Sequence, residues 1–277
     1  VVARRMTTLS RLVRSRGGER PRVVVTTVNA ALQRLPPVSW VSTESLSAAP
    51  GNAVDIGDLA RWLDINGFSR AGTVRDVGEY AVRGGIVDLY PPGPLGPIRL
   101  DLFGDVLESI KGFDPETQRS THSVRMLDLV PMTEFQLTSE AIRRFRQGYV
   151  ATFGTPPRGD TLYESISEGR RFPGMEHWLP LFHGRLDTLG AYTPGAVLLF
   201  DPQADGAADE RLKQISDYHE ARRTALGAGN AGGAPYRPLP ADALYLTPAQ
   251  WQTIRTGADS IEVTPFAVAD GGARWVV

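Results

Sequence analysis

The sequence predicts an α/β protein interrupted by a small sheet, and three stretches carry that prediction. "RVVVTTV", residues 22–28, is mostly β-branched, and "GAVLLFD", residues 195–201, is an apolar run ending in an aspartate. Both read as buried strands of an α/β layer, where side chains pack on both faces. "IRLDLF", residues 98–103, instead alternates apolar and polar residues, the pattern of a strand with one buried face.

Taken in order, "VVARRMTTLSRLV" sets Val2, Met6, Leu9 and Val13 at spacings of four, three and four, one apolar stripe on a helix. Gly17 and Gly18 end it, and Pro21 prevents resumption. After "RVVVTTV", the helix formers of "NAALQRL" run to Pro36-Pro37. "WVSTESLSAAP", residues 40–50, is polar and small, which predicts a connection out of the first α/β elements. Asp55 is placed to cap "IGDLARWLDING", with Leu59, Trp62 and Leu63 inward and Gly67 as the stop. "TSEAIRRFRQGYVATF" has Thr138 or Ser139 at its cap and Ile142, Phe145 and Tyr149 on one stripe. "TLYESISEG" reads as a short helix, and "GMEHWLPLFHGRLDTLGAY" as a helical or turn-rich segment with an aromatic core. "GAADERLKQISDYHEARRTAL" reads as a long helix with Leu212, Ile215 and Tyr218 inward. "GAGNAGGAPYRPLP" reads as turn-rich, "ALYLTPAQWQTI" as strand, turn and helix, and "IEVTPF" and "ARWVV" as short strands.

Residues 78–120 read as three short strands joined by tight turns. Gly84-Gly85 breaks the first run as a bulge or a close backbone approach. Ile98, Leu100 and Leu102 share one face of the middle strand, and Arg99, Asp101 and Phe103 share the other. Gly104-Asp105 reverses the chain. "VLESIKGF" then returns antiparallel, with Glu108 and Lys111 as charge partners or surface cover. Burying the Ile-Leu-Leu face leaves the Arg-Asp-Phe face outside, with Arg83 on the neighbouring strand. An aromatic beside guanidinium groups is the composition of a protein-contact surface. The other arrangement open to these residues packs Phe103 on its own domain and pairs the arginines with Asp101 and Glu79.

Composition narrows the function classes. Apolar residues make up 42% and charged residues 22% of 277, and the formal charge is only -1, so the molecule as a whole does not attract nucleic acid. Positive charge is nearly all arginine, since Lys111 and Lys213 are the only lysines. It gathers at the start, with Arg4, Arg5, Arg11, Arg14, Arg16, Arg20 and Arg22 against Glu19 alone; this basic helix reads as a solvated face rather than a phosphate-binding one. With no cysteine there is no disulfide framework, thiol nucleophile or thiolate metal site. No run approaches the roughly 20 apolar residues of a membrane span, and the start is too short for a signal peptide, so a cytoplasmic location is expected. The absent initiator methionine reads as a chain that begins inside a longer one.

"TTVNAALQRLPP", "GEYAVRGGIVDLYPPG", "IRLDLFGDVLESIKGFDPETQRS" and "MTEFQLTSEAIRRFRQGY", in this order, resemble the N-terminal part of the bacterial transcription-repair coupling factor family (Mfd), without its extreme N-terminus. The middle two also resemble the corresponding region of UvrB, and a UvrB fragment contacting damaged DNA is the alternative reading. The resemblance implies a degenerate helicase-like lobe, related to RecA-like P-loop domains and built from residues 1–43 and 127–277. It also implies a small mixed α/β domain, like the second domain of UvrB, inserted at residues 44–126. It implies that the small domain binds the repair protein UvrA, through Arg83, Arg99 and Phe103 with Asp101 as a supporting contact. The family's full-length members are ATP-driven translocases on double-stranded DNA that displace stalled RNA polymerase, with ATP and magnesium in motor domains. A C-terminal region is expected to cover the docking face.

No catalysis is expected from these residues themselves. Neither lysine sits in the Gly-Lys-Ser/Thr loop that holds phosphates and magnesium. Asp201 at the end of "GAVLLFD" imitates a Walker B aspartate, but Pro202 stands where a motor carries glutamate, so strand-end capping is expected. His177 and His183 lie near Glu176 without a metal-ligand pattern. Asp101 and Glu108 are two carboxylates without a substrate cleft.

Overall fold

A computed structural model describes residues 2–14, 23–227, 237–257 and 259–263 of the protein. The architecture is mixed α/β. Its contacts divide the chain into two compact units, Val1–Glu19 with Pro36–Arg185, and Arg20–Leu35 with Leu186–Val277.

In the first unit, helix Val2–Arg14 buries Met6 and Leu9, the centre of the stripe read from the sequence. Residues 40–50, expected to be a connection, instead carry most of helix Val38–Glu44 and all of strand β1, Leu46–Ala48. The reason is that Val41 and Ala48 are buried among the polar residues and anchor both elements. Strand β1 pairs antiparallel with β8, Leu127–Leu129. Helix Ile56–Ile65 begins where the Asp55 carboxylate accepts from Asp58 N–H at 2.7 Å and ends just before Gly67, whose φ of +89° only glycine adopts without strain.

Between them lies a six-stranded sheet of β2 Ser69–Arg70, β3 Glu79–Arg83, β4 Ile86–Leu89, β5 Ile98–Phe103, β6 Val106–Phe113 and β7 Ser120–Ser123, in that spatial order. Strands β2 and β3 are parallel and every other neighbouring pair is antiparallel. The sheet's inner face contributes Tyr80, Val87, Leu89, Ile98, Leu100, Leu102, Leu107 and Ile110, which pack on Leu59 and Leu63 of the helix and on Leu127 and Leu129. The expected three strands are thus five within residues 79–123. Gly84-Gly85, read as a bulge or close approach, forms the hairpin between β3 and β4, with Arg83 opposite Ile86. The close approach is also present: a Cβ on Gly85 would lie 2.5 Å from the Leu102 carbonyl oxygen.

Helix Ser139–Phe153 starts at the Thr138 cap and buries Phe145 and Tyr149 as its spacing predicted. They join Phe182, Trp178 and Tyr163 in an aromatic core; Phe135 and Phe182 stack with ring centroids 4.2 Å apart. Buried Asp160 accepts from the Tyr149 hydroxyl and from Tyr163 N–H, which caps helix Thr161–Ser167.

In the second unit, β9 Leu198–Phe200 pairs parallel with β10 Ser260–Glu262, in the two places read as strands. Helix Ala204–Gly227 is the long one expected, but Tyr218 points outward at 69% exposure. Ile215, nearly one turn earlier on the same stripe, is buried. Trp251 of helix Pro248–Arg255 is buried with Leu32, Ala208 and Leu246, and the Asp205 carboxylate accepts from Trp251 Nε1 and Arg255 Nε at 3.0 and 2.8 Å. The start of "ALYLTP" is a single helical turn, Ala241–Leu244, and not a strand; Tyr245 bridges to Gln33 beyond it.

The largest correction concerns "RVVVTTV". Val23–Thr27 form no strand, and Val23 and Val25 are each 89% exposed. A β-branched run favours extended backbone, but a strand also needs a hydrogen-bonded neighbour, and none of the described residues supplies one. Thr27 instead caps the short turn Val28–Ala31. "ARWVV", most of "GAGNAGGA" and Arg16, Arg20 and Arg22 lie outside the described residues.

A candidate docking face on the small sheet

The side of the sheet opposite the core is the candidate site, and strand register decides what shares it. Ala81, Asp88, Arg99 and Lys111 form one cross-strand row. Arg83, Ile86, Asp101 and Ser109 form the next, and Phe103 with Val106 end it at the β5–β6 turn. Directly opposed residues lie on the same side of a sheet, so all of these share the outer face.

One end of the face is covered. Val74, Ala81 and Phe113 are buried there with Tyr90 beside them. The Gln118 side-chain amide donates to Val74 O at 3.0 Å and to Pro115 O at 2.7 Å, fastening the 114–118 loop over that end. The other end is open: Phe103 is 76% exposed, and Val106 and Ile86 accompany it at 47% and 36%. The hairpin tip that presents Phe103 is held by backbone. Val54 N–H donates to Asp105 O at 2.7 Å, Leu107 N–H to Asn52 O at 3.0 Å, and Gly51 N–H to Leu107 O at 2.8 Å. Gly104 turns the chain at φ +59°, where a side chain is strained. An aromatic is therefore displayed on a fixed scaffold.

Between the two ends lies a charge cluster that the sequence did not reveal. Asp88, only 1% exposed, accepts Arg99 Nε at its Oδ1 at 2.7 Å and Arg99 Nη2 at its Oδ2 at 2.9 Å. Arg83 Nη2 donates to the same Oδ2 at 2.9 Å. The Arg99 guanidinium also lies 5.2 Å from the Phe113 ring centroid, a cation–π distance. The Asp88 hydrogen bond is the main cause of a raised Arg99 pKa; burial opposes it, and the charges of Asp88 and Asp101 assist.

The arginines pair with Asp88, then, and not with Asp101 and Glu79. Glu79 Oε2 accepts from the Arg75 and Asp76 N–H groups at 2.8 and 3.0 Å, and these two bonds lower its pKa. Asp101 sits opposite Ile86 and Ser109, half-buried beside the cluster. The face thus brings together Arg83, Arg99, Asp101 and Phe103, all four residues singled out from the sequence. It adds Asp88, Ile86 and Val106, which were missed. The signal for Asp88 was present in "GGIVDLY": an acid within an apolar strand, placed opposite Arg99 once the turn sits at Gly84-Gly85.

The remaining chemistry-bearing residues have structural roles. Arg5 and Arg14 of the basic helix pair with Glu134 and Asp128 of the same unit. Buried His183 bonds Glu134 O through Nε2 at 2.7 Å and meets Trp40 edge-on at 5.0 Å. Burial lowers the His183 pKa, and burial raises that of Glu134 against the pull of Arg5. Asp201 accepts from Gln203 N–H at 2.8 Å, the local capping role expected. Among the described residues no group of three or more His, Cys, Asp or Glu side chains is arranged to hold a metal, and no helix is long and apolar enough to cross a membrane.

Comparison with known proteins places this face in context. The UvrB interaction domain family matches residues 46–135, which begin at β1 and end just past β8. A transcription-repair-coupling factor of Rickettsia bellii is 36% identical over 225 residues, covering 81% of this chain and 20% of that protein. Those of Escherichia coli K12 and Bacillus subtilis 168 are 32% and 30% identical, over 89% and 79% of this chain and 21% and 18% of their own lengths. The chain therefore spans about a fifth of the curated relatives it matches.

Proposed function

From the premise that this chain is homologous over 225 residues to bacterial transcription-repair-coupling factor and carries a UvrB interaction domain, we propose that its small sheet is a docking module for the excision-repair protein UvrA. Arg83, Arg99 and Phe103 form the contact face, with Asp101 in support. Residues 44–126 make up the docking insertion. Residues 1–43 and 127–277 act as its scaffold, a degenerate helicase-like lobe of RecA-like ancestry that does not hydrolyse ATP. The complete protein moves along double-stranded DNA at the expense of ATP, with magnesium in its motor domains, and displaces stalled RNA polymerase. Its C-terminal region covers the docking face until recruitment is needed.

The observation that carries this reading is Phe103, 76% exposed on a braced hairpin at the open end of the face that also carries Arg83 and Arg99, with the main core on the other side of the sheet. Large aromatics and arginines dominate the binding energy of protein interfaces, the aromatics because they bury much area for few rotatable bonds and arginine because its fork makes several charge-assisted hydrogen bonds. The test is calorimetric titration of UvrA into the chain and into its Arg83→Ala and Phe103→Ala variants, each checked for folding by circular dichroism. Losses of at least about 2 kcal/mol are expected of central contacts. Unchanged affinity in both variants would remove the assignment.

A further inference from the structure

We propose that Asp88 is the positioning residue of this face, making Arg99 an internal support and leaving Arg83 as the arginine that meets a partner carboxylate. The inference rests on the docking reading above and divides the labour within it.

Hydrogen-bond accounting separates the two arginines. A guanidinium carries N–H donors on three nitrogens. All three nitrogens of Arg99 are engaged: Nε and Nη2 with Asp88, and Nη1 with Gln118 O at 3.3 Å. Its side chain is 21% exposed and lies over Phe113. Two of its five N–H groups remain, one on each Nη, on a side chain that is mostly covered. Arg83 is 48% exposed and bonds through Nη2 alone, so Nε and Nη1 have no acceptor among the described residues. Four of its five N–H groups are uncommitted, and the second Nη2 hydrogen, paired with Nε–H or with Nη1–H according to which one Asp88 takes, leaves one edge of the fork open to a carboxylate.

Asp88 is what holds this arrangement. Its buried carboxylate needs compensation, and Arg99 supplies most of it with two bonds where Arg83 supplies one. With Arg99 removed, Asp88 keeps one partner and draws Arg83 inward, away from an incoming acid. With Asp88 neutralised, Arg83 is released. The partner chemistry follows: an acidic side chain for Arg83 next to an apolar one for Phe103, Ile86 and Val106.

The test uses the 277-residue chain with UvrA as the probe. Arg83→Ala and Arg99→Ala should each weaken binding by about tenfold or more, the scale for truncating one member of a hydrogen-bonded charge pair. Asp88→Asn added to Arg99→Ala should restore affinity to within about threefold of wild type, since the uncompensated charge is then gone. Asp88→Asn should not rescue Arg83→Ala. A double variant as weak as Arg99→Ala, or one that stays unfolded where Arg99→Ala is unfolded, overturns the assignment by showing that Arg99 acts other than through Asp88. A second readout needs no partner: NMR of the arginine Nε–H groups in the free chain. Slow exchange at Arg99 and fast exchange at Arg83, with Arg99 becoming fast in Asp88→Asn, is expected; fast exchange at Arg99 in the wild type contradicts the proposal. Failure of the docking reading looks different: Phe103→Ala binds normally while the NMR pattern holds.

Discussion

Truncation of Phe103 to alanine separates docking from folding. A phenylalanine buries about 150–250 Å² when fully enclosed. With 76% of its surface still open, roughly 110–190 Å² remain for a partner. At about 25 cal/mol per Å² the ceiling is roughly 3–5 kcal/mol, and ordering at the interface brings the expected loss to about 2–3 kcal/mol, a Kd raised about 30- to 150-fold. Fold stability should hardly move, within about 0.5 kcal/mol, because the ring touches little of its own domain. Calorimetry with UvrA reads the first quantity and thermal unfolding the second. An affinity within about threefold of wild type refutes the docking role. A Tm lower by more than about 5 °C refutes the exposed placement on which the reasoning stands.

Three further outcomes test the scaffold. Gly85→Ala sets a Cβ 2.5 Å from the Leu102 carbonyl, so the β4–β5 pairing must shift; a loss of about 1–3 kcal/mol in urea unfolding is expected, and wild-type stability would contradict the close approach. Thr247→Ala removes the capping box of helix Pro248–Arg255, and should cost about 1 kcal/mol in the same measurement. His183 has a pKa lowered by burial from the usual 6.5, so the unfolded chain takes its proton first as pH falls. The stability it contributes is complete above about pH 6.5 and declines as pH drops through the lower folded value. Glu134, whose pKa burial raises, has the opposite sign, so the comparison is wild type against His183→Gln: the urea midpoint should fall less between about pH 7 and 5 in the variant.

What could be read in the sequence was whatever depends on near neighbours. Asp55 and Thr138 are caps because a short oxygen side chain meets an N–H group three residues ahead. Ile98, Leu100 and Leu102 face the core because a strand has a period of two. Asp101, Arg99 and Phe103 followed from the same alternation. Features that depend on a distant partner were not legible. Val23–Val25 have strand propensity without a paired neighbour among the described residues, and Tyr218 continues the helical stripe of Ile215 yet stays exposed. Asp88 escaped because its role depends on the register of two hairpins, which places it opposite Arg99 and within reach of Arg83. The strand count in residues 79–123 turned on Gly84-Gly85, where a bulge and a two-residue turn look alike until the register of Arg83 and Ile86 is known, and on the exposed Ser120–Ser123, which has no apolar alternation to mark it as a strand.

The most direct test of the account is amide hydrogen exchange on this chain with and without UvrA. Protection confined to residues 83–88 and 99–106, with the helices of both units unchanged, is the predicted result. Protection centred elsewhere, or no change at saturating UvrA, contradicts a docking face built on the outer side of the small sheet.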